Sequence, residues 1–201
     1  EQVQTMLDLQ NSMNSKVNAH WREQGFEWYR AIWIECGELL DHYGWKWWKK
    51  QDPDVDQVQL ELIDIWHFGL SILLTSGRSE DEITALIEEQ LVVGSDESDF
   101  RLDLEQFASE TLSSKSFPLA SFGRLMAGVD LDFAGLYEGY VGKNVLNFFR
   151  QDHGYKDGSY IKIWHGEEDN EVLANLVNSL DAGAGDFQQQ LYAALEEKYP
   201  N

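Results

Sequence analysis

Apolar residues recur every three or four positions along most of the chain, and strict alternation is nearly absent. Val3, Met6, Leu7, Met13, Val17 and Trp21 fall on one face of a helix predicted over about residues 2–24. Trp28, Ala31, Ile32, Ile34 and Leu39 continue the period in a second helix that ends near Tyr43, where Gly44 and the run through Pro53 break it. A third helix is predicted over about 56–75, stopped by Ser76-Gly77. Ser79 followed by Glu82 is a capping-box pattern for a fourth, Ile83 to Val93. Further helices are predicted at about 100–114, 118–129, 132–152, 168–180 and 185–198, and residues 160–164 form the one strand-like stretch. The fold class is therefore all-α. With 201 residues, the expectation is a single domain, 1–201, with a mobile or subsidiary helical segment at about 78–130.

Charge changes the picture next. The chain carries 36 acidic residues against 15 basic ones, a net −21. That excess argues against a nucleic-acid partner, whose affinity rests on phosphate neutralisation, and against an anionic membrane surface. It leaves room for a small phosphorylated ligand held by metal ions and a local cluster of cations. The segment from Glu80 to Glu110, with eleven acids and one arginine, reads as a solvated helical face. No stretch reaches the roughly 18 uncharged apolar residues of a membrane span. The N-terminal stretch has neither the basic nor the apolar region of a secretion signal, and the single Cys36 permits no internal disulfide. A soluble, cytoplasmic protein is expected.

Two acidic pairs carry candidate chemistry. Glu35 and Glu38 lie three apart on the second predicted helix, Glu61 and Asp64 three apart on the third, so each pair points to one side. Ile32, Ile34, Leu39 and Leu40 border the first pair; Leu60, Ile63, Ile65 and Trp66 border the second. Either the pairs face solvent separately, or they converge in a helical core. Convergence would bring repulsion and desolvation, which hard oxygen-seeking cations such as Mg²⁺ relieve. Asp64 with His67 resembles half of a di-iron Glu-x-x-His set, but no second such pair exists, so iron is disfavoured. His67 reads as a satisfied core histidine or as a group that orients a ligand.

Between the acidic helices, Gly44-Trp45-Lys46-Trp47-Trp48-Lys49-Lys50 places three tryptophans in a short loop. They must cover the core, another subunit or a planar ligand. Lys143, Arg150, Lys156 and Lys162 form a local excess of cations among Asn144, Asn147, Gln151, Gly154, Tyr155, Gly158 and Tyr160. That cluster suits capture of a polyanion, or else ion pairing with Asp152, Asp157, Glu167 and Glu168. There is no Gly-x-Ser-x-Gly elbow and no P-loop, and Cys36 lies within an apolar helix, so metal-assisted phosphate chemistry is what remains.

The strings IWIECGELLDHYGWKWWKK (32–50), QLELIDIWHFGLS (59–71) and GKNVLNFFRQDHGYKDGSYIKIW (142–164) together resemble the dimeric all-α dUTP diphosphatases of the helical NTP pyrophosphohydrolase superfamily. The resemblance implies a helical bundle of the all-α NTP pyrophosphatase type, a homodimer, and Mg²⁺-dependent hydrolysis of dUTP and dUDP to dUMP. It also implies that pyrophosphate is released from the triphosphate by attack at the β-phosphorus. It implies two or three Mg²⁺ ions on Glu35, Glu38, Glu61 and Asp64, with Glu35 or Glu38 orienting or deprotonating the water. Lys143, Arg150, Lys156 and Lys162 fall at phosphate positions, and Asn147 and Tyr155 at the nucleotide site. Gln10 and Asn14 fall in the uracil-reading segment of the first helix, with Trp48 next to the base. A related dCTP or broader NTP pyrophosphohydrolase, and a non-catalytic helical binding protein, are the competing readings.

Overall fold

A computed structural model of the chain describes residues 1–94, 99–181 and 184–200, so part of the acid-rich run, 95–98, lies outside the described residues. Among the described residues the architecture is all-α. The helices are α1 (Gln2–Val17), α2 (Trp28–Tyr43), α3 (Val55–Leu74), α4 (Glu80–Gln90), α5 (Phe100–Ser114), α6 (Leu119–Ala127), α7 (Phe133–Asp152), α8 (Asp169–Ser179) and α9 (Phe187–Lys198). The strand-like stretch contributes only its last two residues: β1 (Ile163–Trp164) pairs antiparallel with β2 (Glu167–Glu168). No helix of the described residues is long and apolar enough to cross a membrane.

Local chemistry sets the boundaries. Asp54 caps α3 by accepting from the Gln57 N–H, and the Ser79–Glu82 capping box opens α4 with both reciprocal bonds formed. The first helix stops at Val17 rather than near residue 24. Asn18 is extended, its side chain accepts from the His20 N–H at 2.9 Å, and Trp21–Glu23 forms a separate 3-10 turn. A short polar side chain that bonds its own backbone competes with the helical ladder, which the apolar spacing alone does not reveal. Gly44 ends α2 at φ 93°, a conformation that suits glycine, and a Cβ there would meet Gln51 Cβ at 2.9 Å.

The chain divides into two compact units, Glu1–Tyr137 and Glu138–Asn201, the division falling within α7. In the first unit α3 is buried on nearly every side, which is why its sequence is apolar almost all round. Trp66 stacks on Phe122 at 5.5 Å and meets Phe117 edge-on at 5.7 Å, so α6 and the segment before it pack directly on α3. In the second unit Phe149 and Trp164 pack at 5.6 Å, with Tyr192 and Tyr199 both 5.3 Å from Phe149. Burying such rings contributes roughly 1.5–3 kcal/mol each.

Candidate active site

The acidic pairs converge. α2 packs along α3, and one carboxylate oxygen from each of Glu35, Glu38 and Glu61 lies within 4.8 Å of the others. Glu61 is buried, Glu35 half-buried and Glu38 exposed, so the cluster opens outward from the α2–α3 seam. Asp64 lies outside that triad, but its charge reaches Glu35. Burial pushes the Glu35 carboxyl up to about 9, with the Asp64 charge, a hydrogen bond shared with Glu61, and the Glu61 and Glu38 charges adding to it. His42 Nε2 stands 3.7 Å from Glu61 Oε1. His42 was not singled out from the sequence, although it follows Glu38 by four and so shares its helical face.

The apolar setting of the first pair differs from expectation in one residue. Ile32, Cys36 and Leu39 are buried, but Ile34 is 58% exposed and Trp33 54% exposed. Both fall on the solvent side of α2. Burial also pushes the Cys36 thiol up to about 12, with the Glu35 charge adding to it, so this sulfur stays protonated.

Gln10 and Asn14 occupy the buried stripe of α1, among Val3, Met6, Leu7 and Met13. Gln10 Nε2 donates to Asn14 Oδ1 at 3.0 Å, and Asn14 Nδ2 donates to Ser71 Oγ at 2.9 Å. His67 Nδ1 lies 2.9 Å from Gln10 Oε1, and Ser71 Oγ donates to the His67 carbonyl at 3.1 Å. His67 is therefore a hydrogen-bonded core histidine that fixes an amide. Ser71 was missed from the sequence; its only signal is a hydroxyl four residues after His67 in the apolar last turns of α3.

The tryptophan loop does not cover the core of its own unit. Trp45 is 44%, Trp48 58% and Trp47 91% exposed, and Trp48 contacts the other two edge-on at 5.3 and 5.4 Å. Beside them is a shallow cleft of about 460 Å³, lined by Trp45, Trp47, Lys46, Lys49, Lys50 and Arg101 with Gly44 and Gln51.

In the second unit the cations have partners. Arg150 makes a bidentate pair with Asp169, Nε to Oδ2 and Nη2 to Oδ1, both at 2.8 Å, and Nη1 reaches Asn147 Oδ1 at 3.3 Å. Lys143 is buried and donates to Asn170 Oδ1 at 2.9 Å. Lys162 lies 3.3 Å from Glu168 in an exposed pair, and Lys156 is exposed on the turn after α7. Tyr155, also exposed, lies under the Arg150 guanidinium at 5.7 Å. Gly154, at φ 83°, makes that turn possible: a Cβ there would lie 1.9 Å from Ser159 Oγ. Of the acids the sequence suggested, Glu168 pairs with Lys162, while Arg150 pairs with Asp169, which lies outside that set. Asp152 accepts from the Tyr192 hydroxyl and Asp157 from Ser159. Burial opposes ionisation of Asp169, but the Arg150 bonds and charge outweigh it and hold the carboxyl below its usual range.

An all-helical scaffold with a carboxylate triad on two packed helices could hold a metal ion, and the family comparison gives the class. The family model described as dUTPase matches residues 2–155, so the chain belongs to the all-helical dUTPase family and is a hydrolase of the dUTP diphosphatase type. A search of curated proteins returned no match.

Proposed function

We propose that the protein is a Mg²⁺-dependent dUTP diphosphatase that converts dUTP, and dUDP, to dUMP, releasing pyrophosphate from the triphosphate. The observation that carries this reading is the approach of Glu35, Glu38 and Glu61 within 4.8 Å in a chain of the dUTPase family. The donor set fits a hard cation. It is all carboxylate, the adjacent thiol is protonated, and burial with like charges pushes Glu35 up to about 9, a cost that a divalent ion relieves. Glu35, Glu38, Glu61 and Asp64 would hold two or three Mg²⁺ ions. When bound, these ions neutralise phosphate charge and acidify water.

Glu35 is the proposed general base, because it is a half-buried member of the carboxylate cluster and so lies within reach of water held there. It accepts a proton from water as the water oxygen bonds to the β-phosphorus. The bond from that phosphorus to the α–β bridging oxygen breaks, and the electron pair leaves with dUMP. Glu38, exposed at the rim, orients the same water. Lys143, Arg150, Lys156 and Lys162 carry phosphate charge, and Asn147 and Tyr155 line the nucleotide site.

Uracil is read by Gln10 and Asn14, amides whose orientation His67 and Ser71 already fix, and Trp48 stacks on the base. A site built to bond a substrate edge rejects an analogue lacking it by roughly 10⁴–10⁵. A homodimer would cover the exposed Trp33, Ile34 and Trp47, and the single free cysteine accords with a cytoplasmic setting. Product analysis with equimolar dUTP, dCTP and dTTP tests the reading. dUMP and pyrophosphate should form in Mg²⁺ and cease with chelator. Equal formation of dCMP moves the protein to a sister activity, and no release from any nucleotide in Mg²⁺ overturns it.

A further inference from the structure

The bidentate Arg150–Asp169 pair is built differently from the exposed ion pairs of this chain. The Asp169 side chain is 0% exposed and that of Arg150 12%, against 53% and 50% for Lys162 and Glu168. Removing two charges from water costs several kcal/mol per ion, and attraction between them roughly offsets that cost, so such a pair adds little net stability. What it does supply is direction. Two parallel bonds at 2.8 Å fix the plane of the guanidinium, and the Tyr160 hydroxyl donates to the same carboxylate at 2.8 Å. Asp169 itself is anchored, because it opens α8 and its backbone N–H donates to the Lys162 carbonyl at 3.0 Å. Its neighbour Asn170 accepts from Lys143 at 2.9 Å and lies 3.4 Å from Arg150 Nη2. The first turn of α8 thus sets two cations at once. On the far edge of the guanidinium, Nη1 makes a long bond to the neutral Asn147 carbonyl at 3.3 Å, the kind of contact that a charged phosphate oxygen readily replaces.

We infer that Asp169 is a positioning residue that, with Tyr160 behind it, orients Arg150 toward the phosphates of the substrate. The inference rests on the reading above in which Arg150 is a phosphate contact. Both Asp169 and Tyr160 lie beyond residue 155, where the family match ends. Pre-orienting a charged donor lowers the ordering cost of binding, so the effect should appear in affinity for phosphate-bearing ligands and not for the nucleoside.

The test compares Asp169→Asn, Arg150→Ala and the double variant, measuring KM for dUTP and inhibition constants for pyrophosphate and for uncharged deoxyuridine. Arg150→Ala should raise KM about tenfold or more, the scale of one lost charge-assisted bond. Asp169→Asn should raise KM and the pyrophosphate constant by about fivefold or more while the deoxyuridine constant stays within about twofold. In the Arg150→Ala background, adding Asp169→Asn should change KM by less than about twofold, since the residue it orients is gone. If Arg150→Ala leaves KM unchanged, the phosphate-contact reading and this inference fall together. If Arg150→Ala raises KM but Asp169→Asn does not, or if the deoxyuridine constant rises equally, the positioning role alone is overturned. Should Asp169→Asn not fold, Tyr160→Phe carries the same test with an expected rise of about two- to threefold, and an unchanged KM there also overturns it.

Discussion

The two charged regions of this protein are built on opposite principles. On α2 and α3, carboxylates of one sign are drawn together, with His42 beside Glu61, and the strain appears in Glu35, whose carboxyl is pushed up to about 9. Around α8, charges meet partners within the chain: Arg150 pairs with Asp169, Lys162 with Glu168, and Lys143 donates to the neutral Asn170. The first region leaves an imbalance that a cation from solution would correct. The second carries its balance within the chain and gains orientation. Stability should therefore respond in opposite directions when charges are removed from the two places, while activity falls in both.

The largest effect should come from the carboxylates. Glu38→Gln, or Glu35→Gln, is expected to lower kcat by about 10³ or more with the helical content unchanged by circular dichroism. Retained turnover would remove the metal-ligand role. Next comes the second region, where Asp169→Ala leaves the Arg150 guanidinium without its buried partner and should cost about 3 kcal/mol in denaturant unfolding. A loss near zero would make that pair surface decoration.

The pH dependence should separate the regions further. Glu35 is held above its ordinary 4.5, so without Mg²⁺ the folded state retains a proton that the unfolded state has lost. Stability from this group therefore falls as pH rises from about 4.5 through about 9. Glu35→Gln lacks that loss, and its melting temperature should exceed that of the wild type by a margin that widens with pH. Asp169 is held below its ordinary 3.8, so its contribution is present above that value and disappears on acidification through the lowered pKa. The smallest change should follow Lys162→Ala. Its exposed pair with Glu168 is worth about 0–1 kcal/mol, so stability should be nearly unchanged and any KM rise should reflect lost phosphate contact alone.

Much of the fold is legible in the sequence, because nine stretches repeat their apolar residues with the helical period and cap themselves with residues such as Asp54 and Ser79. Where the reading departs from the structure, a local or tertiary interaction decides the matter. Asn18 ends α1 early by bonding its own backbone, and Ile34 fits an apolar pattern yet faces outward beside Trp33. Members of the carboxylate cluster were visible where spacing along one helix brings them together, as with Glu35 and Glu38. Pairings were not visible where the partner comes from a distant segment. Asp169 lies nineteen positions beyond Arg150 across a turn and a two-stranded ribbon, and nothing in its surroundings in sequence marks it. Ser71 is similar, since its link to Asn14 exists only once α1 lies against α3.

The central claim is that the α2–α3 carboxylates form a cation site in which a proton stands in for the metal. Calorimetric titration of the free enzyme with Mg²⁺ at pH 7, repeated in buffers of different ionisation enthalpy, tests it most directly. Because Glu35 is held near 9, the account predicts saturable binding with release of about one proton per chain, absent in Glu35→Gln. Binding without proton release in the wild type, or no binding at all, would contradict it.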